Sequence, residues 1–299
     1  MSQGGSRKPI DDLGCSQMRW QSGRRSDNVE DRRGVTLGRG AVGGGAIIVA
    51  LVAALLGAPQ SVVRSLLSGG EVSETESGRV PSAGENDAAD FVKVVLASTE
   101  DVWGDVLKSQ TGRRYVPPKL VLFTEAVQSA CGVAGAAVGP FYCPPDSQVY
   151  LDLSFFGELD RRFGAPGDFA QAYVIAHEIG HHVQNLLGIS ERVHAQRART
   201  SQAAGNRLSV AMELQADCLA GVWAFHANRA GQLLEPGDAE EGLRAASAIG
   251  DDTLQKAARG RVVPESFTHG SSAERVRWFK TGMSSGRVAD CETFAPGTP

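Results

Sequence analysis

At 299 residues, with 42% hydrophobic and 21% charged residues, the chain has a globular composition and enough length for one generous domain or two small ones. Its net charge of −4 comes from mixed charges without a basic stripe, which excludes the electrostatic footprint of a nucleic-acid-binding protein.

In chain order, residues 1–39 read as a basic arm carrying Arg24, Arg25, Arg32, Arg33 and Arg39. Residues 40–63, GAVGGGAIIVALVAALLGAPQSVV, contain no charge. As a helix they reach about 36 Å, enough to cross a hydrocarbon layer of about 30 Å. A cleaved signal and a buried core helix are the alternatives, but the long polar segment before the run and the lack of a clean A-x-A site favour one retained transmembrane anchor. The arginines before it put the N-terminus in the cytoplasm and the rest of the chain outside. Residues 64–87 are rich in Gly, Ser and Glu and read as a flexible linker, with the folded domain over 88–299. Four cysteines fall in that domain, and in an oxidising compartment they permit three pairings. Cys131 with Cys143 and Cys218 with Cys291 are favoured; unpaired thiols in a reducing compartment are the alternative.

Within the domain, apolar residues at Phe91, Val94, Val95, Val102, Trp103, Val106 and Leu107 predict a helix from about residue 88. Two strands are predicted at 117–126 and 146–156. Helices then dominate: one from an Asp168 N-cap to Gly188, one over 206–231, one beginning at Pro236 and Gly237, and one over 271–283 with Ser271 or Ser272 as cap and Glu274 near the capping-box position. The predicted fold class is α+β: a helix-rich domain with a small sheet, preceded by one transmembrane helix.

Three of the six histidines crowd into AHEIGHHVQNLLG, residues 176–188. On a helix His177 and His181 share a face one turn apart, so two imidazoles can meet one metal ion, with Glu178 close enough to reach a water held there. A tetrahedral catalytic zinc needs a third protein ligand. Leu187 stands where an extended motif would place a histidine, so that ligand must come from elsewhere. In MELQADCLAG, residues 212–221, Glu213 and Asp217 lie four apart on an apolar helix: Glu213 can bind the metal while Asp217 accepts the spare N–H of a ligating histidine. His194 and His226 are rival ligands in charged surroundings, and His182 should face away from the site.

The segments HEIGHHVQNLLG, ELQADCLAG, GPFYCPPDSQVYLDLSFF and FTHGSSAERVRWF together resemble the bacterial neutral zinc metallopeptidase family, which is similar to the gluzincin branch of zinc peptidases. The resemblance runs from about Met18 to Phe294 and includes MRWQSGRRSDNVEDRRG. Met18 looks like the family's usual start, so residues 1–17 read as a mis-assigned extension. The resemblance implies a zincin-like domain, one Zn2+ held by His177, His181 and Glu213, and Glu178 as catalytic base. Similar H-x(5)-R elements in related membrane zinc peptidases imply His269 as a donor to the oxyanion, with Arg275 as its structural neighbour. Those relatives usually carry Pro where Gly270 stands, and His269 could equally cap the helix that follows. The resulting expectation is a membrane-anchored zinc metalloendopeptidase acting on protein or peptide substrates, with the strand around QVYLDLSFF offering an edge to an extended chain. The alternative is a non-catalytic, zinc-braced scaffold or chaperone-like module.

Overall fold

A computed structural model describes residues 18–37, 74–76, 79–230 and 234–294. Helix α1 (Ala83–Thr111) opens with a capping box between Ser82 and Glu85 and ends at Gly112, whose φ of 70° suits glycine. Its apolar stripe, including Phe91, Val95, Trp103 and Leu107, is buried.

Four strands form the main sheet in the order β1-β4-β8-β7. The inner pair, β4 (Lys119–Phe123) and β8 (Gln148–Asp152), is parallel, and β1 (Val29–Asp31) adds in parallel to β4. Strand β7 (Phe141–Cys143) closes the other edge antiparallel to β8. Both inner strands are buried on two faces: Leu120, Leu122, Val149 and Leu151 join the main core, while Val121, Phe123 and Tyr150 join a smaller one. Strand β2 (Val35–Leu37) pairs antiparallel with β3 (Glu74–Glu76), and β5 (Ala126–Ser129) with β6 (Gly132–Gly135). The Cys131–Cys143 disulfide ties that second hairpin to β7.

The remaining helices are α2 (Ser154–Arg161), α3 (Asp168–Leu186), α4 (Ile189–Arg197), α5 (Gln202–Arg229), α6 (Asp238–Ala248), α7 (Asp251–Arg259) and α8 (Ser272–Ser285). Helix α5 is the hub, with α3 and α8 against it. Contact is backbone to backbone: a Cβ on Gly180 of α3 would lie 2.9 Å from the Ala216 carbonyl, and one on Gly282 of α8 would lie 1.9 Å from that of Cys218. Among the described residues α5 alone is long and apolar enough to cross a membrane, and most of its apolar window is buried inside the protein.

Several sequence expectations need correction. The strand expected over 146–156 ends at Asp152, because its carboxylate accepts the Ser154 N–H and turns the chain into α2. The N-cap of α3 is Gly167, while the Asp168 carboxylate accepts from the backbone N of Met18. The helix expected after Gly237 is two, broken at Gly250, where a Cβ would meet the Ser272 nitrogen at 2.4 Å. The capping box of α8 is made by Ser271 and Glu274, so His269 does not cap that helix.

The expected anchor at 40–63 lies outside the described residues, as do residues 1–17 and most of the expected linker. The basic arm, however, is no separate unit from Met18 to Leu37. Strand β1 extends the main sheet, Met18 is buried in the core, and Arg24 bonds Glu100 and Asp101 on α1. Residues 18–37 and the domain are therefore one folded body. The folded unit thus includes residues 18–37 and does not begin at residue 88. A fragment beginning at residue 79 loses β1 and the buried Met18; emptying one such core site costs about 2–5 kcal/mol. Its thermal midpoint should fall by roughly 10 °C or more relative to the intact chain, read by circular dichroism, and an unchanged midpoint would restore the arm as an appendage.

Candidate metal centre

Helix α3 carries His177, Glu178 and His181 on a buried stretch, and α5 brings Glu213 across to them. His177 Nε2 lies 3.2 Å from one Glu213 carboxylate oxygen and His181 Nε2 lies 3.5 Å from the other. Bonds of about 2.0–2.2 Å at tetrahedral angles put ligand atoms roughly 3.2–3.6 Å apart, so this donor set fits zinc in both spacing and chemistry. Glu178 is 8% exposed and near enough to feel all three charges. Burial first of all raises its carboxyl above the ordinary range, which suits a proton acceptor working near neutral pH.

Each imidazole is oriented through its other nitrogen. His177 Nδ1 donates to Asp217 Oδ1 at 2.8 Å, leaving Nε2 toward Glu213. Asp217 is fully buried and accepts two bonds from Arg275, Nε and Nη2, both at 2.9 Å, and one from the Tyr173 hydroxyl. Burial alone would raise this carboxyl, but Arg275 and His177 hold it at about 2. His181 Nδ1 donates to Gln184 Oε1 at 2.9 Å; the Gln184 amide in turn donates to the Met212 carbonyl and to Gln215, whose own amide reaches the Cys291 carbonyl. The Cys218–Cys291 disulfide fixes that tail against α5.

Sequence reasoning did not identify Tyr173 or Gln184. Their signal was positional, one turn before His177 and three residues after His181 on the same helix, but nothing in the residue types alone marked it. The Arg275 guanidinium reaches Asp217, Tyr173 and the Ile249 carbonyl, and His269 is held by Asp251 at 3.2 Å. His269 is exposed, and Asp251, working against partial burial, raises its pKa. The following Gly270 adopts φ of 91°, which proline cannot. His182 faces away, bonded to the Tyr142 hydroxyl and the Val116 carbonyl. His226 binds the Gly286 carbonyl and His194 is exposed on α4, so neither joins the cluster. The sheet edge also departs from expectation: β8 is internal, and β7 is the edge nearest the cluster, packed on α3 through Tyr142 and its bonds to His182 and Asn185. A cavity of about 500 Å³ elsewhere is lined by Arg33, Glu85, Glu125 and Asp152, but Arg33 is bonded to Asp31 and Asp152 to backbone N–H groups, so it offers no comparable chemistry.

Two consequences are measurable. Burial opposes charge on His177, yet Asp217 and Glu213 lift its pKa to about 10 in the metal-free protein, and His181 is raised as well. Zinc requires both imidazoles neutral, so binding at pH 7 should release protons, seen by calorimetry in buffers of different ionisation enthalpy; no buffer dependence would contradict the shifts. The same shift stabilises the metal-free fold fully below the unfolded pKa of 6.5, and the increment is lost as pH rises through about 10. Second, Asp217→Asn should weaken zinc binding about 10–100-fold and, by stranding the Arg275 charge, cost about 3–5 kcal/mol of stability on denaturant titration.

The family whose description reads "Putative neutral zinc metallopeptidase" matches residues 18–294. The chain is similar to the uncharacterized protein YpfJ of Escherichia coli K12, at 50% identity over 285 residues, covering 93% of this chain and 99% of that one. It is also similar to the uncharacterized protein Rv2575 of Mycobacterium tuberculosis H37Rv, at 43% identity over 223 residues, covering 70% and 73%. No solved structure matches the chain. With that family matched over nearly its whole length, this chain belongs to it.

Proposed function

We infer that the protein is a zinc-dependent metalloendopeptidase, with His177, His181 and Glu213 as the ligands of one zinc ion and Glu178 as the general base. The observation that carries this reading is the convergence of those three ligand atoms within 4.8 Å beside a buried glutamate of raised pKa. Zinc bound there supplies Lewis acidity, polarising a carbonyl and making water nucleophilic near neutral pH. Glu178 takes the proton of the attacking water and returns it to the departing amine nitrogen, so no covalent enzyme intermediate forms. His269, held by Asp251, is assigned as the donor to the oxygen that gains charge. Edge strand β7 offers unpaired backbone to an extended peptide.

Among the described residues the cluster offers three protein ligands rather than four, which favours an open catalytic position over a closed structural one. The two disulfides support an oxidising compartment. Attachment to a membrane through residues 40–63 is part of the proposal.

Purified protein should hydrolyse casein, lose activity to a chelator and recover it with zinc. Glu178→Gln should retain zinc and lose about 10²–10⁴-fold in rate; undiminished turnover would remove the base. Glu213→Ala should lower zinc content far more than His194→Ala, and the opposite ranking would reassign the third ligand.

A further inference from the structure

Asp168, Asp238 and Glu241 bring carboxylate oxygens within 4.8 Å of one another where the N-termini of α3 and α6 meet. Asp238 is fully buried and Glu241 is 3% exposed. Part of the cluster is accounted for: Asp238 accepts the Glu235 N–H, and Glu241 the Phe169 N–H. One oxygen of Asp168 and one of Asp238 are buried with no hydrogen-bond partner. Burial, against the Glu235 N–H and with the neighbouring acids Asp168, Glu241 and Glu235, pushes the Asp238 carboxyl up to about 6. Three acids in a buried corner, two with idle oxygens, describe a receptor for a cation with several N–H donors.

The backbone nitrogen of Met18 reaches one of these three acids, 2.9 Å from Asp168 Oδ2. Its side chain is 1% exposed in the main core, Arg19 pairs with Glu235, and Trp20 stands edge-on to Phe91. The first residues of the family match are thus docked one by one, and that match itself starts at residue 18. A peptide nitrogen at this point carries one N–H and no charge. An α-ammonium group carries three N–H donors and a full positive charge at the same place.

We propose that the Asp168–Asp238–Glu241 cage is a receptor for the α-ammonium group of a chain that begins at Met18. A chain extended before Met18 leaves a neutral amide among three acids, at the first turn of the helix that carries His177, Glu178 and His181. The site is distinct from the metal centre and takes its ligand from the chain itself.

The test compares chains 1–299, 18–299 with a free α-amine, and 18–299 acetylated on that amine, all zinc-loaded. The free-amine chain should melt at least 5 °C above the other two, and its amine should titrate above about 9 rather than at the usual 7.7–8.0. Arg19 lies beside the amine and opposes that rise, but Glu235 pairs with it, so the three acids set the sign. The advantage should vanish as pH rises through the raised amine pKa or falls through those of the carboxylates, and Asp238→Asn should shrink it. Mass spectrometry of the protein from its own host should find an N-terminal peptide that starts at Met18. Equal melting of all three chains with an ordinary amine pKa would overturn the proposal. So would stoichiometric calcium binding by chain 1–299 that Asp238→Asn abolishes, which would make the corner a metal site.

Discussion

The carboxylate of Asp217 is the constraint on which the rest of the centre depends. It sits fully buried on α5, gripped by Arg275 from α8 and Tyr173 from α3, and it fixes the ring of His177. An ion pair so placed contributes little net stability, since desolvation offsets the attraction, but losing one partner is expensive. Three helices are therefore locked into one relative arrangement, and that arrangement presents His177 Nε2 and His181 Nε2 to Glu213. A pairing that adds little to stability supplies the geometry on which the chemistry relies.

Close helix packing makes that lock possible. Gly180 lies between the two ligand histidines and lets α3 rest on the α5 backbone at Ala216; Gly282 does the same for α8 at Cys218. Asp217 lies between those two contact points in sequence, so the carboxylate occupies the closest-packed part of the hub. Cys218 then carries the constraint outward: its disulfide holds the Cys291 tail, whose carbonyl anchors Gln215, which steadies Gln184 and through it His181. Both imidazoles trace their orientation to α5. The far end of α3 is held separately, by Asp168 and Met18.

Much of this was legible in the sequence, where spacing and chemistry coincide. The turn-related pairs His177 with His181 and Glu213 with Asp217 fix faces of helices, and helix geometry alone then limits what they can touch. The Cys131–Cys143 pairing and the Ser271–Glu274 cap were likewise local. Long-range partners were not legible. The H-x(5)-R resemblance sets Arg275 beside His269 but does not reveal that its guanidinium turns inward to Asp217, a buried acid that composition cannot locate. The packing of the arm was not legible for a similar reason: Arg24 and Arg33 are bonded to acids and backbone carbonyls of the folded body, and β1 pairs with a strand about ninety residues away. Parallel pairing across such a distance leaves no local periodicity to read.

The central claim is that two helices grip one zinc ion through His177, His181 and Glu213 and leave one position open. Crystallographic anomalous scattering at the zinc edge tests it most directly. The account predicts a single peak bonded to both imidazole Nε2 atoms and the Glu213 carboxylate at about 2.0–2.2 Å, with solvent in the remaining position. A peak closed by a fourth protein ligand, or one that leaves Glu213 unbound, would contradict it.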